Sequence, residues 1–387
     1  MNKLKKNLVI SAITLILLIS ILFNSGFFFT FNNKSSSDIA DNPFESISDD
    51  KKSMIIPPES SPLIDTDSYD AFGLLIRETN DSLSYYVREG KGHVYNGEGR
   101  IVRWQYDLPS RSWTNYSIVY DDEYDSRNVG GGQIGDKTFL FFTRLESSWD
   151  ATFQDMGYIF SEDNGQSWSE YKKILSNETV DFSSPYGGIV EINKNYKKIY
   201  YLPYYGWNGK EHFVRMFVSS NGLEWKEGPI IYKGMKGFVE PTVTKIGDTN
   251  LIALLRDDDQ NKGYVLQTTS INGGLTWAKP RETNLGLETG TKIPWIDFDK
   301  ETNKFITLYG DRQESSTLKF SHGDAQRIFY DSFAWSTPTI LDYHPRNCCG
   351  YPSFVKINKT DYFYVHSKEM NDTDADTWSG YLTLSLN

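Results

Sequence analysis

The stretch Ser161-Glu162-Asp163-Asn164-Gly165-Gln166-Ser167-Trp168 decides the fold, because the chain repeats it. Ser220-Asn221-Gly222-Leu223-Glu224-Trp225 comes next, then Ser270-Ile271-Asn272-Gly273-Gly274-Leu275-Thr276-Trp277. In each copy a short polar side chain two places before a glycine can bond its own turn backbone. The glycine supplies a positive φ, and the indole folds back over the hairpin. Trp113 and Trp335 extend the series, with Ser110 and Ser332 in the glycine place. The five tryptophans are 55, 57, 52 and 58 residues apart, a period that marks a repeat architecture.

A second series runs in step with the first. Six strand-like pairs open the units: Phe72 to Arg77 with Leu83 to Arg88, Gln133-Ile134 with Thr138 to Arg144, and Gly188 to Ile192 with Lys198 to Tyr204. Thr242 to Ile246 with Leu251 to Arg256, Lys292 to Phe298 with Lys304 to Gly310, and Ser353 to Ile357 with Asp361 to His366 complete them. Each pair is joined by a polar, turn-rich connection. The composition agrees: 15% of the 387 residues are aromatic, there are 30 glycines and only 6 methionines, a mixture of strand and turn formers. The expectation is an all-β, six-bladed β-propeller, with an N-terminal hydrophobic helix.

That helix is expected from Lys3, Lys5 and Lys6 ahead of the apolar run Leu8 to Phe23, which is extended by Phe27 to Phe29. The pattern is that of a signal peptide or signal anchor over 1–31, leaving the rest outside the cytoplasm and touching a membrane through that segment alone. Residues 32–66, rich in Asn, Ser, Asp and Pro, read as a flexible stalk, and 67–387 as the propeller. A net charge of −11 makes nucleic acid an improbable partner, so an anionic ligand would need a local set of arginines. Two cysteines, Cys348 and Cys349, are too few for a disulfide framework or a four-ligand zinc site. The five histidines are scattered, and neither a metal nor a cofactor is expected. Gly130-Gly131-Gly132-Gln133-Ile134-Gly135 matches a dinucleotide-loop pattern but leads into a strand, so it reads as a hairpin.

The segments Ser161 to Trp168 and Ser270 to Trp277 resemble the Asp-box, or BNR repeat, of sialidases (neuraminidases) and their relatives, with Asn272 in the Asp place of the second. The resemblance covers roughly residues 69 to 387 and implies a six-bladed propeller with chemistry at the mouth, where the first strand of each blade begins. Four residues there look like the family's site: Glu240 in Phe238-Val239-Glu240-Pro241, Arg256 sixteen residues on, Arg312 in Tyr309-Gly310-Asp311-Arg312, and Tyr351 in Gly350-Tyr351-Pro352. The resemblance implies that Tyr351 is the nucleophile, Glu240 its base, and the arginines a clamp for the sugar carboxylate. A neutral phenol suits a substrate whose own carboxylate would repel a carboxylate nucleophile.

Blade one departs from the pattern. Where the family opens with an Arg-Ile-Pro motif, Ser68-Tyr69-Asp70-Ala71-Phe72-Gly73 has neither Arg nor Pro, and the loop from Arg88 to Glu98 has no Asp. Arg88 fits a sugar-contacting position and stands in for part of the missing clamp. The proton donor is open between His93, whose imidazole titrates near neutrality, and Asp125 at the start of blade two, with Glu98 a weaker choice. Arg127, beside Asp125, is a further substrate-binding candidate. Each of these also has an ordinary reading: a Glu–Arg pair that stitches a blade, a packed tyrosine, a loop histidine, and an acidic run from Asp121 to Asp125 that is merely solvated. The expected function is therefore an exo-α-sialidase-like glycosidase acting on sialylated or other acidic glycans. The alternative is a non-catalytic surface propeller that binds glycans or proteins, and a third reading changes the substrate to another uronic or ulosonic acid.

Overall fold

The computed structural model describes residues 61–64, 67–93, 98–146, 151–194, 196–259, 263–286, 289–312, 316–344, 349–371 and 373–384. The expected N-terminal helix, most of the stalk and Cys348 lie outside them.

The described chain is all-β but for one short helix, Ala325–Tyr330, capped by Asp324. Its strands fall into six consecutive antiparallel units. The innermost strands are Tyr69–Arg77, Tyr124–Ile134, Phe182–Pro185 continued by Val190–Lys194, Phe238–Ile246, Thr291–Asp299 and Cys349–Lys356. Each pairs outward through a meander of further strands. Every inner strand packs on the next and the sixth returns to the first, an arrangement consistent with the sialidase-like propeller expected.

The strands bordering the wedges explain their own composition. Second strands such as Thr138 to Phe142 and Leu251 to Leu255 lie between neighbouring blades, so both faces are buried and the sequence runs apolar without alternation. Phe139 and Phe141 of blade two meet Phe217 and Trp225 of blade three in one aromatic cluster. Blade one's outermost strand, Ser112–Tyr120, is largely exposed.

Two expectations are corrected at the edges. Ser61–Ile64, read as stalk, is a strand that pairs with Asp374–Thr383 and supplies blade six with its fourth strand. The inner strands also begin earlier than their apolar runs: blade two's starts at Tyr124 rather than Gln133, and blade four's at Phe238 rather than Thr242. The glycine run is the hairpin expected. Gly131 also bonds across to blade three, its carbonyl accepting from Ile189 N–H at 2.7 Å.

The repeated turns are closed by their own side chains. Ser161 Oγ accepts from Gly165 N–H at 2.8 Å and donates to Asp163 Oδ1 at 2.8 Å. Asp163 Oδ1 in turn accepts from Gln166 and Ser167 N–H at 3.0 and 2.8 Å. In blade four Ser270 and Asn272 do the same for Gly274 and Thr276. Blade three uses Ser219 and Asn221 rather than Ser220, in a turn one residue shorter. In the glycine-less fifth copy a helix replaces the turn, and Trp335 Nε1 bonds Gln267 of blade four at 3.0 Å.

Candidate active site

Four inner strands carry the same irregularity where they enter the mouth. Phe72, Asn128, Glu240 and Tyr351 have φ of 65°, 60°, 48° and 53°, and each falls in a break of strand register. Such a bulge adds one residue against the partner strand and re-aims its side chain. A positive φ at a non-glycine residue costs about 1–3 kcal/mol and persists where the surroundings enforce it. Phe72, in blade one, thus holds the place that Glu240 and Tyr351 hold in blades four and six.

Glu240 and Tyr351, 111 residues apart, meet across the mouth: the Tyr351 hydroxyl donates to Glu240 Oε1 at 2.9 Å. Arg256 Nη1 donates to both Glu240 oxygens at 3.0 and 2.9 Å, while its Nη2 donates to Asp258 Oδ1 at 2.6 Å. Arg312 lies over the Tyr351 ring, 5.4 Å from its centroid. Burial holds the Tyr351 phenol well above its ordinary pKa of 10, reinforced by Glu240 and opposed by Arg312 and Arg256. At rest the phenol is protonated, with Glu240 placed to take its proton.

The second group stands on blades one and two. Arg88, fully buried, clasps Asp125 with two bonds, Nε to Oδ1 at 2.7 Å and Nη2 to Oδ2 at 3.1 Å. Arg127 approaches the same carboxylate at 3.9 Å. The clasp needs two glycines: a Cβ on Gly99 would lie 1.9 Å from Asp125 Oδ1, and one on Gly90 2.6 Å from the Arg88 guanidinium. His93 stacks on Tyr69 and Phe72 with centroids 5.3 and 5.5 Å away.

Phe72 joins the two groups. The Arg127 guanidinium sits 4.8 Å over one side of its ring, and its edge contact with Tyr351 is 4.5 Å. The local field is positive. Burial, then Arg127, and further Arg312 and Arg88, push His93 down to about 4, and only Glu369 of its main neighbours acts in the other sense. Arg127's own pKa is lowered, first by burial and then by Arg88. Burial disfavours charge of either sign, and it is the three arginines around His93 that supply the attraction for an incoming anion.

Tyr351, Glu240, Arg256, Arg312, Arg88, Asp125, Arg127 and His93 therefore converge on one end of the described structure. Their bonding redistributes the roles expected. Both Asp125 oxygens are engaged by Arg88, and Arg88 is sealed behind it with only Nη1 unbonded. Asp125 is thus an acceptor that positions guanidinium groups, a poor source of a proton. Glu98 is 70% exposed and paired with Lys91 at 2.6 Å. Sequence reasoning missed Phe72, Tyr69 and Glu369. The Pro after Glu240 and Tyr351 was a usable signal, since a residue without N–H suits a break in the ladder; blades one and two have Gly73 and Val129 there instead. Among the described residues no group of three or more His, Cys, Asp or Glu could hold a metal ion.

Residues 100–365 match the model of the BNR repeat-like domain family. The chain belongs to that family. No curated protein matches this BNR-repeat chain by sequence, but solved structures share its fold. A Dyadobacter fermentans protein of unknown function superposes with a TM-score of 0.71 at 15% identity, over 86% of this chain and 99% of its own. A mutant NanB sialidase from Streptococcus pneumoniae gives 0.63 at 10% identity, over 84% and 70%. A mutant Trypanosoma rangeli sialidase displaying trans-sialidase activity gives 0.61 at 12% identity, over 85% of this chain and 58% of its own. The BNR-repeat chain thus shares the fold of these sialidases, at identities that speak to fold alone.

Proposed function

We propose that this chain is a retaining exo-glycosidase that removes a terminal sialic acid, or a closely related carboxylated sugar, from glycans. The observation that carries the reading is the 2.9 Å Tyr351–Glu240 contact at the edge of the arginine cluster. Arg127 and Arg312 receive the sugar carboxylate, since both act on His93 and stand beside Phe72 and Tyr351 respectively. Arg256 holds Glu240 in place as the base. As the phenolic oxygen attacks the anomeric carbon its proton passes to Glu240, and Arg312 and Arg256 stabilise the negative charge that gathers on that phenolic oxygen. Water then releases the sugar with net retention. Arg88 and Asp125 hold Arg127 from behind.

A fluorogenic aryl α-sialoside tests this directly. Turnover by the unaltered chain and its loss in Tyr351→Phe support the reading; no turnover of any sialoside opposes it. The binding-only alternative rests on one observation, Phe72 in the bulge of blade one where an arginine was expected. It predicts sialoside binding without turnover, unaltered by Tyr351→Phe. The reading places the propeller outside the cytoplasm, on the strength of the lysine-led apolar run that ends near Phe29; protease accessibility on intact cells checks that placement.

A further inference from the structure

A retaining reaction needs a group that protonates the departing oxygen and later takes a proton from water. None of the three groups suggested by the sequence suits that task, Glu98 being exposed and paired with Lys91. Asp125 has both oxygens engaged by Arg88, and His93, held to about 4, is neutral through the physiological range.

The mouth contains a second phenol–carboxylate pair. The Tyr69 hydroxyl donates to Glu369 Oε1 across the seam between blades one and six. The backbone fixes this meeting, because Ala375 faces Tyr69 on one side and Glu369 on the other. In blade six Ser367 faces Gly350, just before the Tyr351 bulge, as Arg256 faces Val239 just before the Glu240 bulge. Glu369 lies two residues beyond Ser367, and the two-residue period of a strand keeps it on the same face. Tyr69 is fully buried, whereas Glu369 is only partly buried, so a buried phenol anchors a carboxyl group that keeps some contact with solvent. The pair adjoins the other one through a continuous aromatic path: His93 stacks on both Tyr69 and Phe72, and Phe72 meets Tyr351.

We infer that Glu369, anchored by Tyr69, is the acid/base residue of this site, rather than His93 or Asp125. The inference rests on the glycosidase reading above. In the first step the protonated Glu369 gives its proton to the glycosidic oxygen as the bond from that oxygen to the anomeric carbon breaks. Tyr351 oxygen bonds that carbon, and its proton goes to Glu240. In the second step the Glu369 carboxylate takes a proton from water, whose oxygen bonds the anomeric carbon. The bond to Tyr351 breaks and Glu240 returns the proton to the phenol. Tyr69 is a positioning residue, and His93 is a neutral spacer between the pair and the arginines.

The test uses the full chain and two α-sialosides, a 4-nitrophenyl glycoside, whose leaving group departs without a proton, and a lactoside, whose leaving group needs one. For Glu369→Gln the expected result is a kcat/KM on the lactoside lower by about 10²–10⁴-fold, with less than about tenfold change in bond cleavage for the nitrophenyl substrate. Added azide accelerates release from the nitrophenyl substrate and yields a sialosyl azide of retained configuration. Tyr69→Phe shows the same substrate split, but smaller, which keeps the inference testable if the Gln variant folds poorly. An equal loss on both substrates, no loss on either, or the same split appearing in His93→Ala with Glu369→Gln unaffected overturns it. Failure of the unaltered chain to cleave either sialoside has a separate signature and overturns the glycosidase reading itself.

Discussion

The box turns at the rim of the blades and the bulges at their mouth are both breaks in regular sheet, yet they are built in opposite ways. In the Ser161–Trp168 turn the bonds made by Ser161 and Asp163 join residues within four positions. Blade one adds Arg103 on the Gly165 carbonyl and Tyr86 against Trp168, so the shape is specified largely by the eight residues themselves. In the bulges at Glu240 and Tyr351 the defining bond spans 111 residues, and the positive φ at each is enforced by what crosses the mouth. The rim is mostly local, while the mouth exists only once the ring has closed. Stability is therefore expected to respond to the rim and to the clasp behind the mouth, and chemistry to the side chains gathered at the mouth.

The largest expected effect separates the two regions most sharply. Glu240→Gln or Tyr351→Phe lowers sialoside turnover by at least ~10³-fold while the thermal midpoint stays close to that of the unaltered chain. An unfolded variant would make these residues structural. Next is the clasp. Gly99→Ala drives a methyl group into the Arg88–Asp125 pair, and breaking a buried pair costs about 3–5 kcal/mol, read by denaturant unfolding. Gly135→Ala is the control: its φ of 63° is strained but no atom lies within 4 Å, so the cost is about 1 kcal/mol. Equal effects would mean that the clasp is not tight.

Smaller still is the rim. Ser161→Ala removes the hydroxyl that bridges Gly165 and Asp163, at about 1–2 kcal/mol, with kcat/KM unchanged. A fall in activity there would end the claim that rim and mouth are separate. The subtlest effect is electrostatic. Nuclear magnetic resonance should place His93 near 4 in the free protein, and an anionic sugar bound beside Arg127 and Arg312 should raise it; no movement means the ligand lies elsewhere. The same shift has a stability consequence. His93 titrates at 6.5 when unfolded and about 4 when folded, so between these values the unfolded chain binds more protons and stability falls as pH is lowered. His322, also held to about 4 by burial, adds to the fall. His93→Gln flattens the slope.

The same contrast explains what was legible in the sequence. The three boxes could be read because Ser, Asp or Asn, Gly and Trp sit at short offsets, and the six-unit count followed from the six strand-like pairs in step with them. Even there Ser219 was missed for Ser220, because the turn lost one residue and the hydroxyl moved with it. At the mouth, Glu240, Arg256, Arg312 and Tyr351 were found through their resemblance to a family pattern. Phe72, Tyr69 and Glu369 had no such pattern to match, and Glu369 acquires its neighbour only through the Ala375 seam, some 300 residues from Tyr69 in the chain. Asp125 was read as a free acid because no local rule shows that Arg88, 37 residues earlier, engages both of its oxygens.

The most direct measurement is a trapping experiment. An activated sialosyl fluoride bearing a second fluorine beside the anomeric carbon slows release of a glycosyl-enzyme, and peptide mass spectrometry then locates the sugar. The account predicts one sugar on the peptide containing Tyr351, absent from Tyr351→Phe. A sugar attached elsewhere, or hydrolysis of ordinary sialosides with no adduct on that peptide, would contradict it.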